Sequence, residues 1–143
     1  MIAKNRKAYY EYFILDKYEA GIMLTGTEIK SVRAGKLSFN DSFCLFVEDE
    51  LFVRGMHIAE YTQGNIWNHN PKRDRKLLLH RQELKKLGKA IKGTGVTIIP
   101  LKAFINKNGY MKIEIGLAKG KKLYDKRADL KAKDDKRQIK ERE

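Results

Sequence analysis

One cysteine and three histidines are all that the 143 residues hold of the thiol and imidazole side chains on which disulfide frameworks and most transition-metal sites depend. Cys44 has no partner for an internal disulfide. It sits in "SFCLFV", where a small buried hydrophobe is expected rather than a reactive thiol, and a reducing cytoplasm fits. His57, His69 and His80 do not stand at metal-ligand spacing from one another or from Cys44, so no metal is expected. His57 closes an alternating strand and His80 opens or precedes a helix. A nuclease using His69 with a Glu or Lys is conceivable, but no spacing demands it; neither enzymatic activity nor a cofactor is expected. No apolar run approaches the roughly 20 residues of a membrane-spanning helix, and "MIAKNRKAYY" lacks the apolar middle of a signal peptide. There is no Rossmann or P-loop glycine pattern and no internal repeat.

What the chain has is positive charge: 31 Lys and Arg against 18 Asp and Glu, a formal +13. Ten of the last 24 residues are basic and six acidic, so most of the excess belongs to the preceding body. A domain this basic calls for a polyanion, with RNA or DNA first. Two units follow: a body over residues 1–119, long enough for one modest core, and a charged segment over 120–143.

The opening residues, up to Tyr9 and Tyr10, are basic and expected to be mobile. "YYEYFILD" and "YEAGIMLTG" read as two strands, with Gly21 a bulge or bend. "GTEIKSVRAG" changes period: Thr27 caps, Ile29 and Val32 share one face and Gly35 closes the helix. Glu28, Lys30, Ser31 and Arg33 then fall on its open faces. "DSFCLFVEDELFVRGMHI" is a hairpin about the turn "EDE". "AEYTQGNIWNHNPKRDRK" reads as loop, and "LHRQELKKLGKAIKG" as a helix through Leu79, Leu84, Leu87 and Ile91. Two more strands follow, joined at Asn108-Gly109 as a two-residue turn. About six strands with two or three short helices, and no βαβ alternation, predict a mainly β protein. The expected form is a small closed antiparallel barrel, OB-like with Greek-key connections.

Within this frame, Lys72, Arg73, Arg75 and Lys76 crowd into five residues just after Trp67 and His69. Cations neutralise phosphate, and exposed aromatics stack on unpaired bases. Trp67 serves equally as a core residue or a stacking one. Glu28 among basic residues admits two readings, a local helix ion pair or a carboxylate accepting from a base edge. Beyond Gly120 there is neither Gly nor Pro, and the residue types favour helix. With so little apolar surface, such a helix is marginal alone. It needs an anionic surface that also engages Tyr124.

"YEYFILDKYEAGIMLTGTEIKSVRAGK", "NPKRDRKLLLH" and "GLAKGKKLYDKRADLK", in this order, resemble the SsrA-binding protein family, also called small protein B. The resemblance implies an OB-like barrel that binds the tRNA-like domain of transfer-messenger RNA. It also implies delivery to stalled ribosomes for trans-translation, with elongation factor Tu in the delivery complex and one monomer per RNA. The tail is expected to be disordered when free and helical in the decoding site and the empty mRNA channel of the small subunit. On this basis Asn5, Glu28, Lys30 and Arg33 hold the RNA, grouped with Arg6 and Ser31, and Glu28 turns toward base recognition. His69, Lys72, Arg73, Arg75, Lys76 and Lys119 are further RNA contacts. Gly120, Lys121, Lys122, Tyr124, Asp125, Lys126 and Arg127 match the tail motif. The ending "DDKRQIKERE" is shorter than in some relatives.

Overall fold

The computed structural model describes residues 2–61, 68–93 and 95–121. Its elements are β1 (Ala3–Lys4), α1 (Arg6–Glu11), β2 (Tyr12–Ile22), α2 (Gly26–Arg33), β3 (Leu37–Ser38), β4 (Phe43–Val47), β5 (Glu50–Arg54), β6 (His57–Ile58), β7 (Arg75–Leu78), α3 (Arg81–Ala90), β8 (Val96–Ile105) and β9 (Met111–Gly120). Six strands close into an antiparallel barrel in the order β2-β9-β8-β4-β5-β7 and back to β2. The segment from β4 through β9 has the OB order, with α3 between its third and fourth strands. β2 is inserted between β7 and β9, making six staves where the OB fold has five. β1 extends β8 beyond its pairing with β4, and β3 pairs with β6 as a separate ribbon.

The core follows from alternation. Leu51, Val53, Leu77, Ile98, Ala103, Ile113 and Ile115 point inward and are buried, and Leu87 of α3 joins the same cluster. Ala8 of α1 lies on the outer side of the barrel, against Ile99, Leu101 and Ala118. At Gly116 a Cβ would meet Leu101 Cδ1 at 2.7 Å, so any larger residue would force Leu101 to shift. Cys44 is buried as expected, and burial pushes its thiol pKa well up.

Several local expectations change. Residues 2–11 take a defined place, because β1 and α1 have a docking site. The ladder between β8 and β9 is irregular between Pro100 and Lys102. There the Asn5 backbone N–H donates to the Leu101 carbonyl at 2.7 Å, and its Nδ2 to the Pro100 carbonyl at 2.8 Å. Asn5 Oδ1 in turn caps α1 by accepting from the Ala8 N–H. The two strands expected between Tyr9 and Gly26 are one 11-residue strand, and its irregularity falls between Ile14 and Asp16 rather than at Gly21. Thr25, not Thr27, caps α2. Ile29 is partly exposed while Val32 is buried.

The hairpin at "EDE" forms, with Glu48 and Asp49 both at positive φ. The Asn108-Gly109 turn is wider than two residues. The Gly109 N–H donates to the Asn106 carbonyl and the Asn106 N–H to the Tyr110 carbonyl. Asn106 Oδ1 accepts from the N–H groups of Asn108 and Tyr110, favouring a three-residue loop.

Candidate nucleic-acid interface

α2 opens with a capping box. The Thr25 hydroxyl accepts from the Glu28 N–H, and Glu28 Oε1 accepts from the Thr25 N–H at 2.9 Å. This directs the Glu28 carboxylate toward the barrel rather than toward solvent. Glu28 is fully buried there, as is Arg75. Arg73 Nε donates to both Glu28 oxygens, at 3.0 and 3.1 Å, and Arg75 Nε donates to Oε2. Arg75 also donates to the carbonyls of Met56 (2.8 Å) and Pro71 (3.0 Å), and Arg73 to that of Met23. One carboxylate thus joins α2, the end of β2, the loop before β6 and the 71–75 segment.

Burial pushes the Glu28 carboxyl pKa up, but the hydrogen bonds from Arg73, Thr25 and Arg75 overcome it and hold the group below the usual carboxylate range. Burial lowers the Arg75 pKa and Glu28 opposes this only in part; the guanidinium stays charged. His69 braces the same junction. Its Nε2 lies 2.8 Å from the Ile58 carbonyl, an obligate acceptor, so Nε2 carries the hydrogen. Nδ1 lies 2.8 Å from the Thr27 hydroxyl, within hydrogen-bond distance.

Around this buried clamp stand the exposed cations. Lys30 and Arg33 occupy the outer side of α2, with Lys30 Nζ 5.4 Å from the centre of the Tyr61 ring. Ala3 to Lys7, Leu37 to Asp41 and Lys72 line an open groove of about 680 Å³. Lys4, Arg6, Lys7 and Lys72 supply its positive charge, and Asp41, paired with Lys7 at 2.6 Å, is its one carboxylate. Lys4 and Lys7 were not singled out in the sequence. The signal was present in "AKNRK", but charge alone did not reveal an ordered segment.

The expected site residues therefore divide. Arg6, Lys30, Arg33, Lys72, Lys119 and Gly120 are exposed. Lys76 is partly buried and paired with Glu50 at 2.8 Å. The Lys121 N–H donates to the Glu11 carbonyl, and its ammonium lies 5.0 Å from the Phe13 ring centre. Asn5, Glu28, Ser31, His69 and Arg75 are buried. The open-face placement of Glu28 and Ser31 is thus corrected, because the capping box and the arginine clamp turn that side of α2 inward. The clamp's partners, 45 and 47 residues away, also replace the local ion pair considered for Glu28. Trp67, Lys122, Tyr124, Asp125, Lys126 and Arg127 lie outside the described residues. No group of three or more His, Cys, Asp or Glu among the described residues could hold a metal ion, and no described helix is long and apolar enough to cross a membrane.

A closed OB-like barrel bearing an open basic groove beside a rigidly clamped helix defines the class: a small polyanion-binding β-barrel protein. A family model described as SmpB protein matches residues 2–143, and the chain belongs to this family. The SsrA-binding protein of Phocaeicola vulgatus is 54% identical over 136 residues, covering 95% of this chain and 91% of that protein. The SsrA-binding protein of Acetivibrio thermocellus is 55% identical over 139 residues, covering 97% and 90%. A solved structure described as "tmRNA-SmpB: a journey to the center of the bacterial ribosome" matches with a TM-score of 0.71 and 48% identity, covering 85% of each chain.

Proposed function

We propose that this chain is a non-enzymatic RNA-binding adaptor of trans-translation. Its barrel holds the tRNA-like domain of transfer-messenger RNA and brings it to stalled ribosomes. The observation that carries the reading is the Glu28 clamp, which fixes α2 against the 71–75 segment. Lys30 and Arg33 on one side and Lys72 on the other are thereby held in register for phosphates. Arg6 and Lys7 extend the same surface through the groove. Asn5, Glu28, Ser31, His69 and Arg75 serve this surface from beneath, and Arg73 bridges the clamp and solvent. Family membership and the described kinship with a transfer-messenger RNA complex support the choice of RNA.

The segment from Gly120 onward, with Lys121, Lys122, Tyr124, Asp125, Lys126 and Arg127, enters the decoding site and the empty mRNA channel. It acts there in place of a codon–anticodon pair, while peptide transfer remains ribosomal chemistry. The protein works in the cytoplasm as one copy per RNA, with elongation factor Tu in the delivery complex. The test is RNA recovered with the tagged protein from cells. Transfer-messenger RNA is expected from the wild type and from a chain ending at Lys121. It should be lost from a Lys30→Glu, Arg33→Glu, Lys72→Glu variant. A spread of transcripts from the wild type would overturn the reading.

A further inference from the structure

Away from the groove at α1, the tip of the β4–β5 hairpin faces α3 across a second groove of about 860 Å³, whose lining shares no residue with the first. Its two walls carry opposite charge. Arg81, Lys85, Lys89 and Lys92 line one wall, Glu48, Asp49 and Glu50 the other, and Phe46, Leu84 and Ile91 lie between. Arg81, Lys85 and Lys89 recur every four residues, about 6 Å of helix rise, so they form one stripe. Of these carboxylates only Glu50 has a salt-bridge partner among the described residues, Lys76.

Two further features mark the walls of this groove. Gly88 lies in the last turn of α3 on this wall, where glycine still disfavours helix relative to alanine. A Cβ built there would meet nothing within 4 Å, so internal packing does not explain the residue. The hairpin tip places Glu48 and Asp49 at φ 51° and 65°. These are left-handed positions where Asn-Gly is the relaxed choice, and Glu48 is strained. Gly88 leaves room for a partner's backbone to approach the helix, and the strained tip holds carboxylates opposite.

We propose that this groove binds an unpaired RNA strand, separate from the RNA held at α1 and α2. Its phosphates run along Arg81, Lys85, Lys89 and Lys92, closest over Gly88. A base face packs on Phe46, Leu84 and Ile91, and exocyclic amino groups donate to Glu48 and Asp49. The opposite charges of the walls match the cross-section of a single strand, with an anionic backbone on one side and donor-bearing bases on the other. A duplex, whose base faces are stacked and whose edges are paired, does not present this cross-section.

The test uses the full chain with a 12-nucleotide single-stranded RNA rich in A and C. Amide shifts on titration should include Phe46, Leu84, Gly88 and Ile91, and the paired duplex should leave them unmoved. Gly88→Gln should raise Tm, because it improves helix propensity. It should weaken binding measured through those four amides about tenfold, on the scale of one lost stacking or phosphate contact. Lys85→Glu, Lys89→Glu should abolish their shifts, while binding of the tRNA-like RNA at the first face stays unchanged. The proposal fails if the shifts are confined to α1, α2 and the 36–41 loop. It also fails if Gly88→Gln binds as the wild type does, or if the duplex moves the same amides equally.

Discussion

The side of the barrel built on Glu28 and the side built on α3 both present cations, but they hold them differently. Around Glu28, surface Lys30, Arg33 and Lys72 stand on backbone tied together by one buried carboxylate and two arginines. On α3 the cations rise from a single helix and have no carboxylate partner within salt-bridge distance among the described residues. The first arrangement makes stability and binding inseparable at the clamp and separable at its rim. The second leaves them separable throughout. Charge on a surface thus says little until the backbone that carries it is accounted for.

The strongest way to break this comparison is Glu28→Ala. Removing one partner of a buried ionic cluster strands the guanidinium groups, and a loss of about 3–5 kcal/mol is expected, read as a lower midpoint in urea unfolding. RNA affinity falls with it, because α2 and the 71–75 segment lose their common anchor. A variant that unfolds like the wild type but fails to bind RNA would return Glu28 to direct base recognition. Next in size, Lys30→Glu with Arg33→Glu should weaken binding of the tRNA-like RNA more than tenfold, by the loss and reversal of about two phosphate contacts. Tm should hardly move, and the salt dependence of binding should become shallower. A drop in Tm would place these residues in the clamp rather than on its rim.

Acid sharpens the contrast further. The Glu28 carboxyl is held below its unfolded value of about 4.3, so its contribution is fully present above that pH. It is lost as pH falls through the lower folded value. Urea midpoints measured from pH 7 downward should fall in this acid window, and Glu28→Gln should flatten that part of the slope. A slope unchanged in Glu28→Gln would assign it to other carboxylates. The smallest effect is expected at the groove rim. Asp41→Ala breaks the exposed pair with Lys7, leaving Tm unchanged and slightly strengthening RNA binding by freeing a cation. Weaker binding would mean that Asp41 itself helps to hold the RNA.

The barrel was legible where contacts are local or periodic. "DSFCLFVEDELFVRGMHI" declares its hairpin through alternation and one polar turn, and "LHRQELKKLGKAIKG" declares α3 through its leucines. The clamp was not legible, because Glu28 meets Arg73 and Arg75 only after 45 and 47 intervening positions fold back. An acid beside basic residues in a short helix looks the same whether it turns outward or inward. The ordering of α1 was hidden for a similar reason: its anchor is a pair of carbonyls at an irregular point of β8, some 95 positions away from Asn5. Lys30, Arg33 and Lys72 could be picked out as surface cations by charge alone. Arg75, picked by the same reasoning, lies beneath that surface, as do Ser31 and His69, which the family resemblance had placed among the RNA contacts.

The insertion of β2 between β7 and β9 has a consequence for how the molecule comes into being. β2 meets β7 only at Gly21 and Ile22, but it meets β9 from Tyr12 to Gly21. The first long strand translated therefore waits for the last, and such non-local pairing makes closure slow. A polypeptide cut short before Met111 holds α2 and the 71–75 segment, yet leaves β2 unpaired along most of its length. Translation must run through the final stave before the barrel can close.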